Sequence, residues 1–106
     1  MAETQNLYGS DLDIAVALAE VARGVHSVRV SDGDSPVIVA DGGGWEPFRP
    51  SISWAHAGAV IDANQICIVC DANGQWVACL QRTPERLSRG PTALIAAMRA
   101  YVASQA

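Results

Sequence analysis

Residues 66–80 constrain the fold of this chain more than any other stretch, because they predict a β-hairpin that is apolar on both faces. Asn73-Gly74 is a strong two-residue turn signal, since both positions accept the positive φ of a type I′ turn. With this turn Ile68 faces Cys79, and neither face alternates with polar residues as a half-solvated strand does. We therefore expect helices to cover both sides of the hairpin.

A first helix is predicted to begin at Ser10, where the side chains of Ser10 and Asp13 resemble a capping box. Gly24 suits its end. The apolar residues between them form a broad stripe, and Asp13, Glu20 and Arg23 lie toward the opposite, polar side.

Residues 26–40 predict a second hairpin. Val28 and Val30 alternate with polar residues, as in a strand with one solvated side, and Asp32-Gly33 signals the turn that leads to residues 37–40. The glycine-rich stretch that follows, together with two prolines, predicts a long loop over residues 41–50.

Two further helices complete the pattern. Ser51 or Ser53 can cap a short helix that ends near Asn64, and Gly90-Pro91-Thr92 opens a final helix after a connection over residues 81–89. Strands that occur only in adjacent hairpins indicate an antiparallel sheet. The predicted fold is α+β, a small antiparallel sheet of two hairpins packed between helices in the order αββαββα.

The length of 106 residues suits one hydrophobic core. Residues 1–9 lack periodicity and are expected to be a loose lead, so we predict a single domain over residues 10–106.

The charge of the chain disfavours nucleic acid as a partner. The formal net charge is −4 and there is no lysine, whereas phosphate-binding surfaces depend on clustered Lys and Arg. Arg82, Arg86 and Arg89 fall close together between the hairpin of residues 66–80 and the last helix. They form either a local site for an anion or acidic partner, or a solvated connection.

The chain has no charged start followed by an apolar run, so a secretory signal is not predicted. Its apolar stretches are too short to cross a bilayer. Three cysteines in such a chain suggest reduced thiols in the cytoplasm. In the hairpin register above no cysteine faces another, so no disulfide is expected.

Metal and catalytic sites are not predicted. Cys67 and Cys70 have a zinc-like spacing, with Cys79 and His56 as further ligands, but side chains three apart in a strand point to opposite faces. Neither His26 nor His56 accompanies a nucleophile pattern. We expect no catalytic residue, no cofactor and no metal.

Trp45, Phe48 and Trp54 concentrate aromatic surface in or beside the glycine-rich loop. They form either an interaction surface, where such residues are favoured anchors, or a lid folded onto the sheet. The complete candidate interaction surface comprises Trp45, Phe48, Trp54, His56, Arg82, Arg86 and Arg89.

From Phe48 onward the chain resembles the NinX-like family of small phage and prophage proteins. The resemblance rests on Pro50-Ser51, Trp54-Ala55, Gly58, Ile61, Trp76 and most strongly the closing run of residues 90–104, GPTALIAAMRAYVAS. The layout is also similar to a phage group with an α-β-α sandwich domain. The resemblance implies a phage or prophage origin and a bacterial cytoplasm as the location, and it transfers no activity to any residue.

These observations favour a non-enzymatic phage or prophage accessory protein that binds a host or phage protein, its acidic character steering it toward a basic partner. The alternative is a small-ligand-binding or enzymatic domain with a site at the loop of residues 42–56, where Trp45, Trp54 and His56 surround a pocket. A homodimer through an open strand edge at residues 26–40 is a third possibility.

Overall fold

Three helices and six short strands follow one another along residues 6–105, which the computed structural model describes. The elements are α1 (Gly9–Ala22), β1 (Val28–Ser31), β2 (Ser35–Val39), β3 (Trp45–Pro47), α2 (Trp54–Asn64), β4 (Ile66–Cys70), β5 (Trp76–Leu80), β6 (Ser88–Gly90) and α3 (Ala93–Ser104). Pairing is antiparallel in both sheets, so the predicted α+β class is confirmed. Residues 1–5 of the predicted lead lie outside the described residues. None of the helices described is both long enough and apolar enough to cross a membrane.

Each predicted hairpin gains a third strand, so the order is αβββαβββα. The sheets are β1-β2-β3 and β4-β5-β6. β3 pairs with β2 in the segment predicted as a long loop. β6 pairs with β5 at the end of the predicted connection and at Gly90, which was predicted to open the final helix. Both are three-residue edge strands. An edge strand needs hydrogen bonds on one side only, which is why Pro47 is tolerated opposite Val37.

The register of the β4–β5 hairpin differs by one residue from the prediction. Gly74 has a positive φ of 82° and Asn73 does not, so the turn is not type I′. The Asp71 N–H donates to the Gln75 carbonyl at 2.7 Å, which leaves a three-residue loop with glycine in the left-handed region. As a result Cys67 faces Cys79, and the expectation that no cysteine faces another is wrong.

α1 and α3 lie between the two sheets, so they cover only the inner face of each one. α3 packs against all three strands of the second sheet and also against α1 and α2, while the first sheet packs on α1. The outer face of the second sheet is open along β4, where Cys67 is exposed and Val69 is 61% exposed, although Val77 opposite Val69 is buried. The expected helical cover on both faces of the β4–β5 hairpin is therefore wrong. The largest fully buried side chains are Tyr101, Phe48, Leu12, Leu80, Met98, Val16 and Pro50.

The buried face of α1 differs from the predicted stripe. Asp13 and Glu20 are each 5% exposed, whereas Leu18 and Val21 on the other side are exposed. The expected capping box does not form, because Tyr8 is the N-cap and contributes no side-chain hydrogen bond. Both carboxylates turn inward because they have polar partners there, which are described below.

Hydrogen-bonded caps fix the beginnings of α2 and α3, which border the pocket described below. Ser53, one of the two predicted caps, accepts the His56 N–H at 3.2 Å through Oγ. Thr92 Oγ1 accepts the Ile95 N–H at 3.1 Å. Each bond satisfies a backbone donor that the first turn of a helix leaves without a partner. The predicted end of α2 near Asn64 is also confirmed.

Candidate functional site

The seven predicted interaction residues do not share one environment. Trp54 lies at the start of α2 and is 60% exposed, and Trp45 lies in β3 on the first sheet and is partly exposed. Phe48 is 1% exposed and belongs to the core. Its proposed place on an interaction surface is therefore wrong, because its ring packs inward as in the lid alternative.

Trp54 borders a pocket of about 270 Å³ between the beginnings of α2 and α3. The lining residues are Ser51, Ile52, Trp54, Thr92, Ala93 and Leu94. The Arg49 carbonyl accepts the N–H groups of Ile52 at 3.1 Å and Ser53 at 2.8 Å, so the chain turns sharply before α2. This turn leaves Ile52 68% exposed beside Trp54. We call Ile52, Trp54 and this pocket the Trp54 surface.

Ile52 is a site residue that the sequence reasoning missed. It is one apolar residue between two serines and lies in a turn, so it belongs to no periodic pattern. Its neighbours Ala93 and Leu94 were predicted to lie in the final helix, but their proximity to Trp54 follows from helix packing.

His56 is held by two hydrogen bonds rather than free to act as a base. Nδ1 accepts the Arg49 N–H at 2.9 Å, and Nε2 lies 3.3 Å from Glu46 Oε1. A nitrogen that accepts from a backbone N–H carries no proton, so the tautomer assigned from these bonds has the proton on Nε2, which donates to Glu46. The ring also packs on Phe48 at a centroid distance of 5.8 Å. His56 therefore ties α2 to β3.

A second cavity, of about 150 Å³, lies where the start of α1 meets the first sheet. Its lining residues are Ser10, Asp13, Ser35, Pro36, Pro47, Phe48 and Arg49. Asp13 Oδ1 accepts the Ser51 N–H at 2.8 Å. Burial raises the pKa of the Asp13 carboxyl, while hydrogen bonding from Ser51 and the charge of Arg49 act in the opposite direction.

Trp45 is covered in part by an arginine. The Arg29 Cζ lies 3.9 Å from the centroid of the Trp45 ring, within the range of a cation–π contact. Trp45 faces Val39 across the β2–β3 pair. The exposed tryptophan of the first sheet is therefore partnered within the chain, in contrast to Trp54.

The predicted arginine group is only partly available. Arg82 and Arg86 are exposed, and Arg89 Nη1 lies 3.0 Å from Asp71 Oδ2 in an ion pair. Arg89 is thus engaged with the loop of the β4–β5 hairpin. Within residues 6–105, His, Cys, Asp and Glu side chains form no group of three or more that could hold a metal ion.

The family comparison matches nearly the whole chain. The family model described as Bacteriophage P22, NinX matches residues 3–105. The chain belongs to this family. The match includes the N-terminal half as well as the part from Phe48 onward on which the resemblance rested, and it makes the chain a phage protein. No individual curated protein matches this member of the NinX family.

Proposed function

We propose that this phage protein acts without catalysis by binding a host or phage protein through the Trp54 surface. The observation that carries the proposal is the pairing of two large exposed apolar side chains, Ile52 and Trp54, with an adjacent pocket of about 270 Å³. Tryptophan is enriched among the few residues that dominate binding energy at interfaces. Exposed aromatic surface beside a pocket is typical of such an interface.

The surface is held in place before a partner arrives. Ser53 caps α2 and Thr92 caps α3, so the two helix ends that form the pocket are fixed by hydrogen bonds. A rigid site loses less conformational entropy on binding. The partner is expected to insert an apolar side chain into the pocket, and the net charge of −4 favours a basic partner. The bacterial cytoplasm is the proposed location.

The test compares two tryptophan variants. Immobilised wild-type protein, Trp54→Ala and Trp45→Ala are exposed to lysate of the host during phage growth, and the affinity of each captured protein is then measured with purified components. Trp54→Ala is expected to weaken binding by at least about tenfold, the usual range for an aromatic anchor. Trp45→Ala is the matched control, because Trp45 is exposed but stacked with Arg29 on the first sheet. Equal affinity of wild type and Trp54→Ala would contradict the proposal.

A second candidate function is small-ligand binding close to the loop of residues 42–56. It is favoured by the cavity of about 150 Å³, where the buried carboxylate of Asp13 lies near Phe48 and Arg49. A ligand that binds the folded state raises the melting temperature. A thermal-shift screen of metabolites and nucleotides is expected to give a hit that Asp13→Asn abolishes, and no hit across a broad library would rule this candidate out.

Self-association is the third proposal. β1 is an edge of the first sheet by the strand order β1-β2-β3, and an uncovered edge can pair with a second copy. Light scattering at increasing protein concentration is expected to show a dimer, and a constant monomer mass would contradict it.

A further inference from the structure

We propose that Cys67 and Cys79 form a redox-sensitive pair on the open face of the second sheet. The pair closes to a cross-strand disulfide by exchange with a small disulfide such as oxidised glutathione. This inference is independent of the Trp54 surface.

The strand register places the two thiols side by side. Cys67 and Cys79 are direct partners in the β4–β5 ladder, so their side chains share one face. Backbone bonds from Gln81 to Gln65 and from Asp71 to Gln75 flank the ladder and place the Cys67–Cys79 pair at a hydrogen-bonded position. The Cα atoms of such a pair are about 5.5 Å apart. Disulfides span Cα separations of about 4.4–6.8 Å, so the pair can close with little backbone movement.

The surroundings make the pair accessible and set the order of reaction. Cys67 is exposed and Cys79 is half-buried beside it. Burial raises the pKa of the Cys79 thiol, and the proximity of Cys67 and Glu85 raises it further. The more accessible Cys67 therefore reacts first and Cys79 second, because the thiolate is the attacking form.

The exchange balances in two steps. The Cys67 thiolate attacks one sulfur of oxidised glutathione, the S–S bond of glutathione breaks, and one glutathione thiolate leaves. Cys79 then gives its proton to solvent, its sulfur attacks the Cys67 sulfur, and the second glutathione thiolate leaves. The two cysteines lose two electrons together, and the two glutathione thiolates take up the two protons.

Cys70 provides an internal control. It lies on the same strand as Cys67 and is also exposed, but its cross-strand partner is Trp76 and its side chain is on the opposite face. Cys70 is expected to accept one glutathione and to keep it, because its cross-strand partner has no thiol to displace it.

The experiment equilibrates reduced wild-type protein and the variants Cys70→Ser, Cys67→Ser and Cys79→Ser in glutathione buffers of increasing oxidation. Free thiols are alkylated and intact masses are recorded. Cleavage after Trp76 then separates Cys67 from Cys79 unless a disulfide joins the peptides. Circular dichroism of each reduced variant checks that the fold is kept, and Cys70→Ser retains both thiols of the pair.

Cys70→Ser is expected to lose the mass of two hydrogens and to give linked peptides, while Cys67→Ser and Cys79→Ser gain glutathione at the remaining member of the pair. Free or separately glutathionylated Cys67 and Cys79 in Cys70→Ser would overturn the proposal. A Cys67–Cys70 link in the wild type would overturn it as well.

Discussion

Asp13 places a carboxylate inside the packing face of α1, where Oδ1 accepts the Ser51 N–H across 38 positions of sequence. Asp13→Ala removes the acceptor and leaves a buried N–H without a partner, which costs about 1–3 kcal/mol. Asp13→Asn keeps an oxygen at that position and is expected to cost less than about 1 kcal/mol. Urea denaturation at neutral pH checks both variants, and equal losses would contradict a role for the hydrogen bond.

The same side chain predicts a pH dependence. Because burial raises the pKa of Asp13 above its usual 3.8, the folded state binds this proton more tightly than the unfolded state. Wild type should therefore gain stability relative to Asp13→Asn as the pH falls through the raised pKa, and lose it as the pH rises. The check is the difference in unfolding free energy between the two proteins from about pH 7 to about pH 3. A difference that does not change with pH would contradict the shift.

The Tyr101 hydroxyl links α3 to the end of α1 through hydrogen bonds. Its hydroxyl donates to Glu20 Oε2 and accepts from Arg23 Nη1, both at 3.3 Å. Tyr101→Phe leaves the buried Glu20 with one partner fewer and is expected to cost about 1–2 kcal/mol by urea denaturation. Tyr8→Phe is the matched control. Tyr8 is exposed, so removal of its hydroxyl should leave the free energy of unfolding nearly unchanged. Similar changes in the two variants would disprove the role of the hydroxyl.

The buried positions of Asp13 and Glu20 could not be predicted from the sequence. An acidic residue on an amphipathic helix is normally solvated, so both were assigned to the polar side. Asp13 accepts from Ser51, 38 positions away, and Glu20 pairs with Arg23 on its own helix but also accepts from Tyr101, 81 positions away. Only the complete fold brings Ser51 and Tyr101 to α1. No local pattern carries that information.

Among the elements, β6 and α3 approach each other closely at Gly90. A Cβ there would lie 2.8 Å from the Ala96 backbone nitrogen and 3.0 Å from Ile95 Cγ2. Gly90→Ala should therefore destabilise the protein by about 1–3 kcal/mol through overpacking. Gly58→Ala, inside α2 with open space around it, should instead stabilise by up to about 1 kcal/mol through helix propensity. The melting temperature should fall for Gly90→Ala and rise for Gly58→Ala. A shift in the same direction for both variants would refute the packing argument.

Helices and hairpins were predictable because each has a local signal. The Ser53 and Thr92 caps and the alternation of Val28 and Val30 all depend on neighbouring residues. The third strands were not, because β3 and β6 are three residues each and contain the proline, glycine and charge that typify loops. The register of the β4–β5 hairpin was predicted wrongly because its loop has three residues rather than two.

At the scale of the molecule, residues 10–106 are predicted to unfold as one unit. The three tryptophans report on different parts: Trp45 on the first sheet, Trp54 on α2 and Trp76 on the second sheet. Variants that keep one tryptophan each should show the same urea midpoint, because the helices between the sheets contribute to one core. Separate midpoints for the Trp45 and Trp76 reporters would contradict a single cooperative domain.

The candidate site could be predicted only in part, because it is formed by segments that are far apart in sequence. Trp54 stood out by residue type, whereas the pocket beside it is made by two helix beginnings about forty positions apart in sequence. Residue type alone did not separate Trp54 from Phe48, because exposure depends on how the whole chain packs.

The contacts between α1 and α3 have a consequence for synthesis on the ribosome. The Arg99 guanidinium donates to the Leu7 carbonyl over 92 positions, and Tyr101 meets Glu20 over 81. Until α3 has been translated, a nascent chain that already contains α1 and the first sheet exposes its apolar surfaces to water. Topologies closed by such distant contacts fold slowly. During that interval we expect the growing polypeptide to be prone to aggregation and accessible to chaperones and proteases.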